Sequence, residues 1–201
     1  MGKKMWQCLG LTIIMFVFMV PPALSCVGRI LYIGARDTVA EKVMAETIAL
    51  LINERTGTTV KIRYFDSAAQ LYEGLKTTDE EKRADIVVEN TEDAMIMLKL
   101  SRDPDPNREF AQVKDRYEKE LDLIWLDPFG YKNAKGDIGK TISAPLVRRD
   151  VLANFPLLPR VLNKLAGALD DTTFTGLINQ VLAGEKPKNV AKDFLRAKKF
   201  I

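Results

Sequence analysis

From Arg29 the chain sets down three apolar, β-branched runs, each followed by an amphipathic stretch with helix-capping signals, and this repeated order leaves few folds open. RILYIGA comes first, TVKIRYF alternates as a strand does, and ADIVVE is the third. The helix after the first run starts at Thr38 with Glu41 three residues on, the capping-box spacing. Its apolar face runs through Val39, Val43, Thr47, Ile48 and Leu51, and Gly57 stands where a helix C-terminus favours glycine. Ser67 and Gln70 repeat the capping pattern before the second helix, and EDAMIMLKL supplies the third. Three β-α units in a row predict a parallel sheet with helices on both faces. A further helix near Asn107 to Leu121 leads to a fourth buried strand, DLIWLDP. TISAPLVRRDVL then reads as a returning, antiparallel strand running into DVLANF, PRVLNKLAGAL, DTTFTGLINQVLAG and PKNVAKDFLRAKKF, all helical, the last two opened by Asp171 and Pro187. The expected fold is α/β, a mostly parallel sheet in a single lobe.

In such sheets ligands bind beyond the C-terminal ends of the strands. Those ends carry Gly34 to Asp37, Asp66 and Ser67, Glu89 to Thr91, and the segment WLDPFGYKN from Trp125 to Asn133. Arg36, Asp37, Glu89, Thr91 and Asp127 are therefore candidate ligand contacts, while Thr38 and Ser67 read as helix caps. The chain has no histidine, which excludes Ser-His-Asp and Cys-His nucleophile systems and every histidine-containing zinc site. A hydrolase built on Asp85, Glu89 or Asp127 is the enzymatic alternative. Paired carboxylates need a cleft and separated pKa values, whereas these acids are ordinary for strand ends and caps. No enzyme activity, cofactor or metal is expected.

The start of the chain differs from the rest. Lys3 and Lys4 precede the apolar run Trp6 to Val20, and PPALSC follows, the layout of a signal peptide over residues 1–25 with an apolar region short for a membrane span. Ala23 and Ser25 suit ordinary signal peptidase, and Cys26 at the next position suits acylation of a lipoprotein, although Ala23-Leu24 inverts the preferred order of that motif. Cys8 leaves with the signal, so Cys26 has no intramolecular disulfide partner. Removing residues 1–25 leaves 176 of 201 residues and, with Lys3 and Lys4 gone, lowers the formal charge from +3 to +1. That balance gives no basic surplus for nucleic acid. Lys188, Lys192 and Arg196, spaced four residues apart, form a cationic stripe opposite Val190, Phe194 and Leu195. A solvated face and attraction to anionic headgroups both account for it.

Taken together, RILYIGARDTVAEKVMAE, RADIVVENTEDA, VKDRYEKELDLIWLDPFGYKNA, APLVRRDVLANFPLLPRVLNKLAGALDD and GEKPKNVAKDFLRAKKFI occur in an order that resembles the glycine betaine/choline-type substrate-binding proteins of ABC importers. The resemblance implies a two-lobed fold closing on a quaternary ammonium osmoprotectant, with a membrane permease as partner and an exported location, periplasmic or on the outer face of the cytoplasmic membrane. It also implies ligand contacts at Phe129, Tyr131 and Asn133. The chain departs from the family in two ways. Only the tether near 134–142 stands where relatives insert their second lobe, so residues 26–201 read as one lobe. Where a Glu-Tyr-Thr-Gly pattern is expected, the chain has Glu89-Asn90-Thr91-Glu92, and Asn90 offers no aromatic face to a quaternary cation. The implied function is the substrate-binding component of an importer for glycine betaine or a related compound, with a partly degenerate site. A single-lobe module that docks to a permease, or pairs as a homodimer without binding a solute, is the alternative.

Overall fold

The computed structural model describes residues 29–130 and 140–201. Elements follow in the order β1 (Ile30–Arg36), α1 (Val39–Thr56), β2 (Thr59–Phe65), α2 (Ala68–Lys76), β3 (Ile86–Asn90), α3 (Thr91–Met97), α4 (Pro106–Leu121), β4 (Leu123–Trp125) and β5 (Ser143–Arg148). Then come α5 (Arg149–Asn154), α6 (Leu158–Leu162) with a 3-10 turn over Asn163–Leu165, α7 (Asp171–Leu182) and α8 (Pro187–Ala197). The five strands form one sheet in the order β2-β1-β3-β5-β4. β1 lies parallel to β2 and β3, and β5 runs antiparallel to both β3 and β4, as the returning strand should.

Each face of the sheet carries its own core. On one side α1 and α5 to α8 bury Leu31, Ile33, Ile48, Leu51, Phe129, Val190 and Leu195. On the other, α2, α3 and α4 close over Leu71, Val87, Met95, Tyr117 and Trp125. Burial removes each such side chain from water for about 1.5 to 3 kcal/mol, which is why β1 and β3, covered on both faces, are continuous apolar runs. α1 buries Met44, Ala45, Ala49 and Ile52 beyond the expected stripe, because α8 packs along it as well as the sheet.

The capping signals are local, and half of each expected box forms. Thr38 Oγ1 accepts from the Glu41 amide at 3.2 Å and Ser67 Oγ from the Gln70 amide at 3.2 Å. The returning halves land farther upstream: Glu41 accepts from the Arg36 amide, and Gln70 Oε1 accepts from the Asp66 amide at 3.1 Å, so both residues tie the helix start to the preceding strand. Gly57 takes the left-handed conformation that ends α1.

Three expectations are corrected. DLIWLDP is a strand only from Leu123 to Trp125, although the Leu126 amide still donates to the Pro145 carbonyl at 2.9 Å. Asp170, not Asp171, caps α7, accepting from the Thr173 amide at 2.6 Å. PRVLNKLAGAL is not one helix to Leu169: it ends after the 3-10 turn, and residues 167–169 run beside the segment after β4. There the Gly167 amide donates to the Pro128 carbonyl and the Leu169 amide to the Phe129 carbonyl, each at 3.2 Å. Gly130 makes this approach sterically workable. Its φ is 115°, and a Cβ there would lie 2.8 Å from the Leu169 carbonyl oxygen.

Candidate functional site

At the C-terminal ends of β1 and β3 lies an open trough in two adjoining parts, of about 330 and 380 Å³. Arg36, Glu41, Glu89 and Asp93 line both parts. The first extends past Asn90 and Glu92 to Ser143 and Phe174, the second past Tyr72 to Ala68 and Ile96. Arg36 ends β1, and the capping of α1 and α3 brings acids to it. Its Nε donates to Glu41 Oε1 at 2.6 Å, and a guanidinium nitrogen lies 3.7 Å from Asp93 Oδ2. Asp93 reaches this position because Asn90 caps α3, accepting from the Asp93 amide at 2.9 Å and donating to the Asp93 carboxylate at 2.8 Å. Partial burial pulls the Arg36 pKa down, and the neighbouring carboxylates, Glu41 first, more than restore it.

Beneath the trough Glu89 projects from β3 into the interior, 7% exposed. Tyr72 donates its hydroxyl to Glu89 Oε2 at 2.6 Å, the Asn90 amide donates to Oε1 at 2.7 Å, and the Tyr117 hydroxyl bonds that of Tyr72. Burial dominates this carboxyl and, with a smaller push from Asp93, raises its pKa to about 7, against the lowering effect of the two hydrogen bonds and Arg36. Burial, followed by the charge on Glu89, also holds both tyrosine hydroxyls protonated far above their ordinary range. The three groups are a hydrogen-bonded chain that can hold or release one proton at the floor of the trough.

The expected contacts divide. Arg36 and Glu89 come together. Asp37 directly follows β1 but faces outward and pairs with Lys42. Thr91 is buried, and its hydroxyl accepts the Ile142 amide at 3.2 Å while its own amide donates to the Ile142 carbonyl at 3.0 Å, fastening the start of β5 to α3. Asp127 is exposed and lines neither part of the trough. The Phe129 ring lies wholly within the core under α5 to α8. Tyr131, Asn133 and Cys26 lie outside the described residues.

Asp85 sits at the opposite edge, where its carboxylate accepts the Tyr32 amide at 2.9 Å and the Arg83 guanidinium at 2.5 Å. Four residues of strand, about 13 Å, separate it from Glu89 along β3, too far for a carboxylate pair to act on one bond. Among the described residues no group of three or more His, Cys, Asp or Glu side chains is arranged to hold a metal ion, and no helix is long and apolar enough to cross a membrane. Glu41 and Asp93 are the trough-lining acids that sequence reasoning passed over. Their signal was present: each is the third residue after a helix cap that stands at or within two residues of a strand end, Thr38 after β1 and Asn90 as the last residue of β3.

No protein-family model and no curated protein matches the chain. Solved structures do. The chain is similar to a glycine betaine/carnitine/choline ABC transporter structure, with a TM-score of 0.76 and 15% identity over 86% of this chain and 98% of that one. This is the fold of a periplasmic-binding-protein lobe. Apo YehZ from Escherichia coli has the same likeness, with a TM-score of 0.72 and 15% identity over 85% and 99%. At such identity the likeness is one of fold. The single-lobe reading rests on the chain's own count, since nine residues separate Gly130 from Lys140.

Proposed function

We propose that the chain is the substrate-binding component of an ABC importer and takes a small zwitterion of the glycine betaine type in the trough beside Arg36. The observation that carries this reading is the convergence of Arg36, Glu41, Glu89 and Asp93 at the strand ends of a lobe whose fold is that of such binding proteins. Arg36 offers donors to a ligand carboxylate by exchanging its bond to Glu41. Glu92 and Asp93 then face the cationic end, substituting Coulomb attraction for aromatic faces. Among the described residues Phe174 and Tyr72 are the only aromatic side chains lining the trough, and both are buried. The reading extends to an exported chain acylated at Cys26 and held near its permease.

A second reading has its own support. Ile96, 67% exposed, stands with Met97 and Ala68 on the rim of the trough. An uncovered apolar rim beside a polar trough suits a module that docks to a permease or to a second copy. Sedimentation with and without glycine betaine separates the two. A monomer that saturates with ligand supports binding by one lobe, and a ligand-independent dimer supports the docking module.

A further inference from the structure

Residues 186–199, which include α8, contain six cations (Lys186, Lys188, Lys192, Arg196, Lys198 and Lys199) and one acid, Asp193. The opposite side of the helix, Val190, Ala191, Phe194 and Leu195, is sealed into the core. Lys188, Arg196, Lys198 and Lys199 are exposed, and none of the six forms a salt bridge with a described residue. Lys188 and Lys198 act at longer range on Glu46 and Asp170. Elsewhere on the surface Arg116, Lys119 and Arg149 are paired with acids, while the exposed Lys61, Lys76 and Lys114 have no salt bridge to a described residue but stand singly on separate elements. The stripe is therefore a concentrated positive surface that Asp193, Glu46 and Asp170 offset only in part.

Its position in the fold gives it a direction. α1 ends at Thr56 and β2 begins at Thr59, and Thr59 is in register with Ile30, so the end of α1 lies at the edge where the chain enters β1. Arg55, in the last turn of α1, donates to the Phe200 carbonyl and holds the end of the α8 segment at that edge. Arg29 is there too, bonded to Asn154. The trough occupies the other end of the strands. Cys26, the expected acylation position, precedes Arg29 by three residues, a reach of about 10 Å. Acids also stand at this edge: Glu80, in the loop leading into β3, lines a hollow with Arg29 and Asn154, and Glu54 is exposed beside Arg55. The excess of positive charge lies along α8 itself, where six cations face one acid.

We infer that the exposed face of α8, with Arg29 and Arg55 at its edge, docks on anionic lipid headgroups and holds the lobe with its trough turned away from the bilayer. The occupant is a lipid surface rather than a soluble polyanion because the basic face converges on the edge that adjoins Cys26 in the sequence, and this step rests on the acylation at Cys26 in the proposed function.

The test is cosedimentation of the full chain with vesicles of phosphatidylcholine alone or of equal parts phosphatidylglycerol and phosphatidylcholine. Each cation near an anionic surface is worth about a fivefold gain in partition, so Lys192→Gln/Arg196→Gln/Lys199→Gln should lower the anionic-to-neutral partition ratio on the order of 100-fold. Lys61→Gln/Lys76→Gln/Lys114→Gln removes as many exposed charges from β2, α2 and α4 and should leave most of the ratio intact. Where the N-terminus alone, through an acyl group on Cys26, carries the chain onto both vesicles, amide hydrogen exchange supplies the readout: residues 186–201 should gain protection on anionic vesicles only. Equal ratios for the two triple variants, or exchange that is the same on both vesicles, overturns the inference. Binding of duplex DNA as tight as that of anionic vesicles overturns it as well.

Discussion

Replacing Glu89 with Gln tests the floor of the trough through the stability of the whole fold. The unfolded carboxyl titrates near 4.5 and the folded one near 7, because burial disfavours its charge. A group whose folded pKa is raised stabilises the native state below the unfolded pKa and loses that contribution as pH climbs through the folded pKa. A displacement of about 2.5 units at 1.36 kcal/mol each corresponds to about 3 kcal/mol, present near pH 4.5 and gone above about pH 8. Glutamine mimics the protonated acid, with an oxygen for the Asn90 amide and a nitrogen that can donate to Tyr72. Denaturant unfolding of both proteins across this range should give equal stabilities to within about 1 kcal/mol at the acid end. At the alkaline end Glu89→Gln should be the more stable by about 3 kcal/mol. A difference between the two proteins that does not change with pH would refute the reasoning, since it would mean that Glu89 titrates alike in the folded and unfolded chains.

Three further outcomes follow from the packing. Phe129→Ala should cost about 3 to 5 kcal/mol in denaturant unfolding, the range for an aromatic core truncation, whereas a ring serving only a ligand would change stability little. Gly130→Ala should lower the thermal midpoint through a loss on the order of 1 to 3 kcal/mol, because φ is 115° and the added methyl meets the Leu169 carbonyl; an unchanged midpoint would mean that residues 167–169 do not run beside Gly130. Thr91→Val should cost about 1 to 2 kcal/mol by leaving the Ile142 amide without its side-chain acceptor, with hydrogen exchange at Ile142 rising accordingly.

What could be read beforehand follows the range of the interactions. The β-α order, the caps at Thr38 and Ser67 and the stop at Gly57 depend on neighbours within a few residues, so sequence carries them. The returning strand expected within TISAPLVRRDVL forms over Ser143–Arg148 and is buried along almost its whole length. Residues 166–169 were not legible, because the carbonyls of Pro128 and Phe129, some 40 residues away, decide how that stretch runs. The site divides the same way. Arg36 and Glu89, expected as contacts from the strand-end rule, both line the trough. The hydroxyls that extend the Glu89 chain carry no local signature: Tyr72 lies 17 residues from the acid, and Tyr117 lies 45 from Tyr72. Phe129 shows the limit of resemblance: the family likeness implied a ligand contact there, and the ring is instead buried in the core that α1 and α5 to α8 share.

Isothermal calorimetry with glycine betaine, choline and carnitine, on the parent chain and on Arg36→Gln, tests the central claim most directly. Saturable heat should appear with at least one of the three, with affinity about 10- to 100-fold weaker in Arg36→Gln for a ligand that carries a carboxylate, the loss expected for a charge-assisted hydrogen bond. Saturable heat that Arg36→Gln leaves unchanged for glycine betaine and carnitine, or no heat with any of the three, would contradict the assignment of the trough as the binding site.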